Sequence, residues 1–313
     1  MADISLLKSQ PFGVEIELTG ITREQAALAL ASLFQTTAEH PGGSYDTWTV
    51  TDREDKQWKL MSDSSIVAQQ KTSGGIQSAS QAFRVEMVTP KLEYGEMEKL
   101  QEVVRALRHA GGFVNNSTGL HLHIDASRHT AQSLKNLLSI VYSKEEMLFK
   151  AFQVREERIA RWCKPVRDFI VSKARSKPHL SIEQLEDIWY SEFHHDRNEH
   201  YNSTRYHALN YHSVFYRGTV EFRLFNSTLH AGQVRAIVNL GLAISAQALT
   251  QTRTQAHKLT TDNDKYSFRV WLLHLGLIGD EFKTTRQHLM EHLDGNSAWR
   301  HGPKHPKMDA PER

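Results

Sequence analysis

The sequence predicts an α+β fold, a mostly antiparallel sheet with helices packed outside it. Two observations point there. Short segments that alternate apolar and charged residues are scattered along the chain, as half-buried strands require. Amphipathic helices fall between them without a βαβ rhythm. A third observation narrows the field: no Gly-rich phosphate loop follows a strand, so neither a Rossmann nor a P-loop protein is expected.

The first strand is Phe12-Gly13-Val14-Glu15-Ile16-Glu17-Leu18-Thr19. Its alternation puts Val14, Ile16 and Leu18 on one face and Glu15 and Glu17 on the other. Thr22–Phe34 reads as an Ala/Leu-rich helix with Thr22 as N-cap. Two strands follow, Tyr45–Thr51 and Gln57–Met61. The Ser-, Gly- and Gln-rich stretch Gln69–Gln81 predicts a mobile surface loop or lid. Phe83–Pro90 is a further strand, closed by a proline that cannot donate to a ladder. Tyr94–Ala110 has helical spacing and ends at Gly111-Gly112.

Asn115–Asp125 then runs from a polar turn into Leu120-His121-Leu122-His123-Ile124-Asp125. Alternation places His121, His123 and Asp125 on one face, backed by an apolar row. Thr130–Phe152 is helical, and a basic helical region with Arg155, Arg158, Arg161, Lys164, Arg167, Lys173, Arg175 and Lys177 comes after it. Such a run is first a solvated face. Ser181–Phe193 is a helix, His194–Tyr201 a polar loop, and Gly218–Phe225 a strand that groups Thr219, Glu221 and Arg223 on one face. Gly232–Thr250 and two helices within Asp264–Leu293 complete the periodic part. Residues 1–294 are expected to form one domain, with a helical insertion at 130–200 and a disordered tail at 295–313.

Four strand faces thus carry unusual residues: Glu15 and Glu17, Glu86, His121 and His123, and Glu221 with Arg223. Like charges on a strand face repel, and a cation between them removes the penalty. Hard divalent cations favour carboxylate oxygens, with an imidazole tolerated. An arginine beside them suits charge on a transferring phosphoryl group. The pattern describes an ATP-dependent enzyme that lacks a P-loop. Its plainer alternatives are a salt-bridged sheet face for Glu15 and Glu17, and a structural ion pair for Glu221 and Arg223.

Five segments in order resemble the amidoligase family of the carboxylate–amine ligase superfamily, to which glutamine synthetase and glutamate–cysteine ligase belong. They are Phe12-Gly13-Val14-Glu15-Ile16-Glu17, Trp58–Ile66 as W-x-x-x-x-D-x-S, Val85–Pro90 as E-x-x-[ST]-P, Asn116–His123 as N-x-x-G-x-H-x-H, and Gly218–Arg223 as G-T-[VI]-E-F-R. The resemblance runs from about Phe12 to Leu249. It implies a curved, mostly antiparallel sheet of glutamine synthetase/glutamate–cysteine ligase type, with the site on the concave face. It implies Glu15, Glu17, Glu86, His121 and Glu221 as metal ligands, Arg223 as phosphate contact and His123 as a pocket residue. Asp63 is the candidate base for the attacking amine. Arg161, Lys164 and Arg205 fall in further family-like elements and are expected to contact the nucleotide. ATP with Mg²⁺ (or Mn²⁺) is the implied cofactor set, and the reaction is amide or isopeptide formation through an acyl phosphate.

Two other classes fit single features. A zinc hydrolase would use the His121-x-His123 pair, and a non-catalytic anion-binding module the basic helices. The histidines His194, His195, His200, His207 and His212 match no zinc-ligand spacing. The chain of 313 residues is 24% charged and 39% hydrophobic with net charge +2, as for a soluble globular protein with no nucleic-acid bias. Its single cysteine, Cys163, suits a reducing cytoplasm. No signal peptide or membrane span is expected. The partners expected are small-molecule or peptide carboxylates and amines, and the oligomeric state is not legible.

Overall fold

The computed structural model describes residues 3–192 and 197–300. The chain opens with one turn of helix, α1 (Ile4–Lys8), capped by Asp3, and enters β1 (Phe12–Leu18). Thr22 and Gln25 form a capping box that starts α2 (Arg23–Phe34), satisfying two backbone donors reciprocally. A meander follows: β2 (Ala38–Gly42), β3 (Thr47–Thr51) and β4 (Gln57–Met61). The segment expected as a loop or lid is instead a two-stranded hairpin, β5 (Gln69–Thr72) and β6 (Gly75–Ser78), turning through Ser73-Gly74 into Gly75, whose φ is 100°. It is tied down where the Gln69 carbonyl accepts the Gly20 N–H at 2.9 Å.

The next strand is shorter than its sequence pattern. A 3₁₀ turn takes Gln81–Phe83, and β7 covers only Val85–Val88. After α3 (Met97–His109) comes β8 (Gly119–Asp125). Four helices intervene: α4 (Ala131–Ala151), α5 (Glu156–Arg161), α6 (Asp168–Ser176) and α7 (Ile182–Tyr190). The basic helical region comprises the two helices α5 and α6. Then come β9 (Leu209–Asn210), α8 (His212–Arg217), β10 (Thr219–Asn226), α9 (Ala231–Thr250), α10 (Asp264–His274) and α11 (Lys283–Leu289).

Eight strands form one sheet in the order β2-β3-β4-β7-β1-β8-β10-β9, and each neighbouring pair runs antiparallel. The edges β2 and β9 do not pair, so the sheet stays open. It curls all the same. The Tyr45 hydroxyl, beside one edge, hydrogen-bonds the Tyr201 hydroxyl, which lies just ahead of the other edge.

One face of the sheet is wholly apolar: Val14, Ile16, Leu18, Leu60, Met87, Leu120, Leu122, Val220 and Phe222 are all buried. Helices α2, α3 and α9 cover that face. α9 is apolar on nearly every side because it is sandwiched between the sheet and α1, α4 and α11. Gly241 makes the contact possible, since a Cβ there would run into the Leu122 side chain. α4 packs on α9, with α6 and α7 beyond it.

Residues 301–313 of the expected tail lie outside the described residues. Ahead of them, the Asn263 amide donates to the carbonyls of Asn296 at 3.1 Å and Trp299 at 2.9 Å. No described helix is long and apolar enough to cross a membrane.

Candidate active site

The other face of the sheet collects the charged residues, and strand register decides which of them meet. Glu17 sits opposite Glu86, Glu15 opposite His121, and Glu221 opposite His123. Among the described residues, three sets of side chains offer ligand atoms within 4.8 Å of one another: Glu15, Glu86 and His121; Glu15, His123 and Glu221; Glu17, Asp63 and Glu86. All five expected metal ligands belong to these sets. Asp63, expected as a base, joins the carboxylates, while its Oδ1 accepts the Ser65 N–H at 2.6 Å.

Hydrogen bonds hold most of these groups in place. His121 Nδ1 meets Glu15 Oε2 at 2.9 Å, and His123 Nδ1 meets Thr219 Oγ1 at 3.1 Å. The Gly119 N–H donates to Glu17 Oε2 at 2.5 Å. Asn210 Nδ2 donates to Glu221 Oε2 at 2.7 Å, and Arg223 pairs with the other oxygen of Glu221. The ladder between β8 and β10 shifts register between Phe222 and Phe225, a bulge that falls on Arg223 and aims it.

The site divides electrostatically into two ends. Burial alone would raise Glu221, but the Arg223 guanidinium and the His123 and His121 imidazoles hold it at about 2. Glu15 is likewise well below the usual carboxylate range despite burial, because of His123 and His121. His123 is raised: Glu15 and Glu221 outweigh its desolvation. At the other end, burial and then the charge of Asp63 push Glu17 up to about 7. Glu86 is raised well above its ordinary value by burial, Glu15 and Glu17. Burial and Arg223 lower His121 to about 4, leaving a neutral imidazole suited to coordination.

Two sets of two carboxylates with one imidazole and a third of three carboxylates suit a hard divalent cation better than zinc in a closed structural site. The donor geometry agrees with that fit: buried His123 Nε2 lies 3.2 Å from Glu15 Oε1 and 4.0 Å from Glu221 Oε1, so one imidazole and two carboxylates converge.

Comparison with known families decides the relationship. Residues 8–245 match the family model described as "Putative amidoligase enzyme". The chain belongs to the amidoligase family. That membership supports an enzyme that forms amide bonds. No curated protein matches the chain.

Around this amidoligase site the expected nucleotide contacts are spread unevenly. Arg205 lies on the rim with Glu15, Asn210 and Glu221, its guanidinium 5.4 Å from the centre of the Tyr201 ring. Arg161 is exposed and stacks 4.5 Å over Trp162, which in turn meets Tyr206 beside Arg223. Lys164 is exposed too, with its backbone bonded to Tyr206. Asp125 continues the polar row and pairs with Lys91 at 2.6 Å. Next to it a cavity of about 320 Å³ opens, lined by Gly13, Glu15, Thr89, Lys91, His123 and Arg217.

Of the clustered histidines, His194 and His195 lie outside the described residues. His207 is held by the Thr204 carbonyl and His212 by the Tyr190 hydroxyl, and no described cation set includes them.

Sequence reading did not single out Arg158. It is 7% exposed, and its guanidinium lies against the α-carbon of Gly119, near Glu17 and Arg223. The signal was hidden within a run of eight basic residues. Only the burial of its helix turn separates it from its solvated neighbours.

Proposed function

We propose that this chain is an ATP- and divalent-cation-dependent ligase that joins a carboxylate to an amine through an acyl phosphate. One observation carries the reading: three overlapping sets of carboxylates, two of them with an imidazole, gather over one sheet face with a buried arginine. An open, curled antiparallel sheet of this kind suits the glutamine synthetase/glutamate–cysteine ligase type of fold.

Glu15, Glu17, Glu86, His121 and Glu221 are the proposed ligands of Mg²⁺ or Mn²⁺, and Asp63 joins them beside Glu17. A bound cation would supply charge neutralisation at phosphate oxygens. His123 faces the phosphates from the Glu15 end. Arg223 offsets charge on the transferring phosphoryl group, and its bulged position holds it there before substrate arrives. Arg205, with Arg161 and Lys164 further out, is placed to meet nucleotide phosphates. The cavity at the Gly13 end gives a nucleotide a route to the face.

In the first step a carboxylate oxygen attacks the γ-phosphorus of ATP and ADP leaves. The nitrogen of a small-molecule or peptide amine then attacks the acyl carbon. Phosphate departs, the nitrogen gives up a proton, and an amide or isopeptide remains.

Thermal unfolding tests the site. ATP with Mg²⁺ is expected to raise the midpoint of the wild type by a few °C, from about 2–3 kcal/mol of binding at saturating ligand. Glu15→Ala, which removes a member of two of the three sets, is expected to show no shift. Stabilisation by Zn²⁺ with no nucleotide effect would instead indicate a hydrolase. Nucleotide binding unchanged by Glu15→Ala would leave an anion-binding module.

A further inference from the structure

A buried guanidinium without a carboxylate partner is costly, because desolvation of the charge is not repaid by an ion pair. Arg158 is in that position. It is 7% exposed, and among the described residues no carboxylate lies within ion-pair distance of it. Among the described residues its guanidinium makes one hydrogen bond, from Nη2 to the Arg223 carbonyl at 3.3 Å, and its Nε is buried without an acceptor. Arg223, 6% exposed, also keeps a buried Nε with no acceptor.

The fold goes to some length to bring Arg158 here. α5 lies outside the sheet, yet the side chain reaches back to the polar face over Gly119, the residue that precedes His121 in its row. A Cβ at Gly119 would stand 2.7 Å from the Arg158 Cζ and 2.9 Å from its Nη1. Glycine at this place is what admits the guanidinium. The same residue's N–H holds Glu17. Arg158 therefore closes the Glu17 end of the row, while the cavity opens at the Gly13 end. With a cation held by Glu17, Asp63 and Glu86, Glu17 would no longer balance the adjoining charge of Arg158, and Arg223 would keep Glu221 and Glu15.

We infer that Arg158 is an anion-binding residue of the site, forming with Arg223 a two-guanidinium seat for an oxyanion at the Glu17 end. The oxyanion is the group acted on at that end, either the substrate carboxylate or the transferred phosphoryl group. The inference rests on the ligase reading and deepens it.

The test is calorimetric titration of the full chain with inorganic phosphate and, separately, with glutarate, each in Mg²⁺ and ADP and again without nucleotide. Arg158→Met is expected to weaken one of the two anions by roughly 10-fold to 100-fold, the worth of charge-assisted hydrogen bonds. Loss of phosphate alone assigns the phosphoryl group, and loss of glutarate alone assigns the substrate carboxylate. Arg158→Lys should restore part of the affinity. The melting midpoint without ligand should stay near the wild-type value in both variants, which a merely structural arginine would not allow.

If Arg158→Met does not fold, Arg158→Gln, which keeps a donor for the Arg223 carbonyl, takes its place. Unchanged affinity for both anions in a folded variant, or no binding of either anion by the wild type, overturns the inference. A wild type that binds the anions but never ATP with Mg²⁺ would fail the ligase reading alone.

Discussion

Glu17 lies where the strongest opposing demands on the polar face meet. It is 4% exposed, accepts the Gly119 N–H, and sits beside Asp63 and Glu86. Burial and Asp63 raise it from 4.5 to about 7, so the folded protein holds a proton that the unfolded chain releases. Its stabilising contribution is complete below pH 4.5 and disappears as the pH rises through 7. The shift corresponds to about 3 kcal/mol in the metal-free protein. A melting midpoint measured in chelator should therefore fall by about 5 °C between pH 5 and pH 8 from this group. Glu17→Gln should flatten that fall, and an unaltered slope in the variant would remove Glu17 as its source.

At this scale the sequence is informative wherever the backbone is a strand. Alternation alone groups Glu15 with Glu17 and His121 with His123, and register then delivers them to one another. Arg158 and Asp63 reach the same place from a helix and a loop, where no simple period says which way a side chain turns.

Among the elements, α9 and β8 show how tightly the apolar layer sets the polar one. Gly241 lets α9 rest on Leu122, and Leu122 stands between the two site histidines in sequence. Gly241→Val should cost about 1–3 kcal/mol through overpacking. Adding Leu122→Ala should cost less in that background than in the wild type, a coupling that a double-mutant cycle of unfolding free energies measures. Strict additivity would mean that the contact carries no packing energy.

The long alternating strands and the amphipathic helices were legible because burial imposes their periods. β2 was not, since Pro41 and Gly42 are poor strand residues that an edge tolerates. β9 is only two residues long. The β5–β6 hairpin is exposed and polar, so no apolar alternation marks it, and backbone pairing with a glycine turn builds it instead.

Over the whole molecule, an open antiparallel sheet curls so that its two edges approach at Tyr45 and Tyr201, above a face lined with carboxylates, imidazoles and arginines. The fold class and the order of the site segments could be read from the sequence. A curved sheet was implied by the family resemblance alone, because the Tyr45–Tyr201 contact joins residues far apart in the chain with no local pattern to announce it. Breaking that contact with Tyr201→Phe should leave the melting midpoint within about 1 °C, as for an exposed hydrogen bond. A large loss of stability would make the edge contact a structural closure.

The central claim concerns the oxygen that leaves with phosphate. ADP release from the wild type, with Mg²⁺ and a panel of amines and ¹⁸O-labelled carboxylates, identifies an active pair, with Glu17→Ala as the background. Mass analysis of the phosphate released by that pair is then decisive. Transfer of one ¹⁸O from the carboxylate to phosphate is the expected result. Unlabelled phosphate, or no ADP above the Glu17→Ala background with any pair, would contradict an acyl-phosphate ligase.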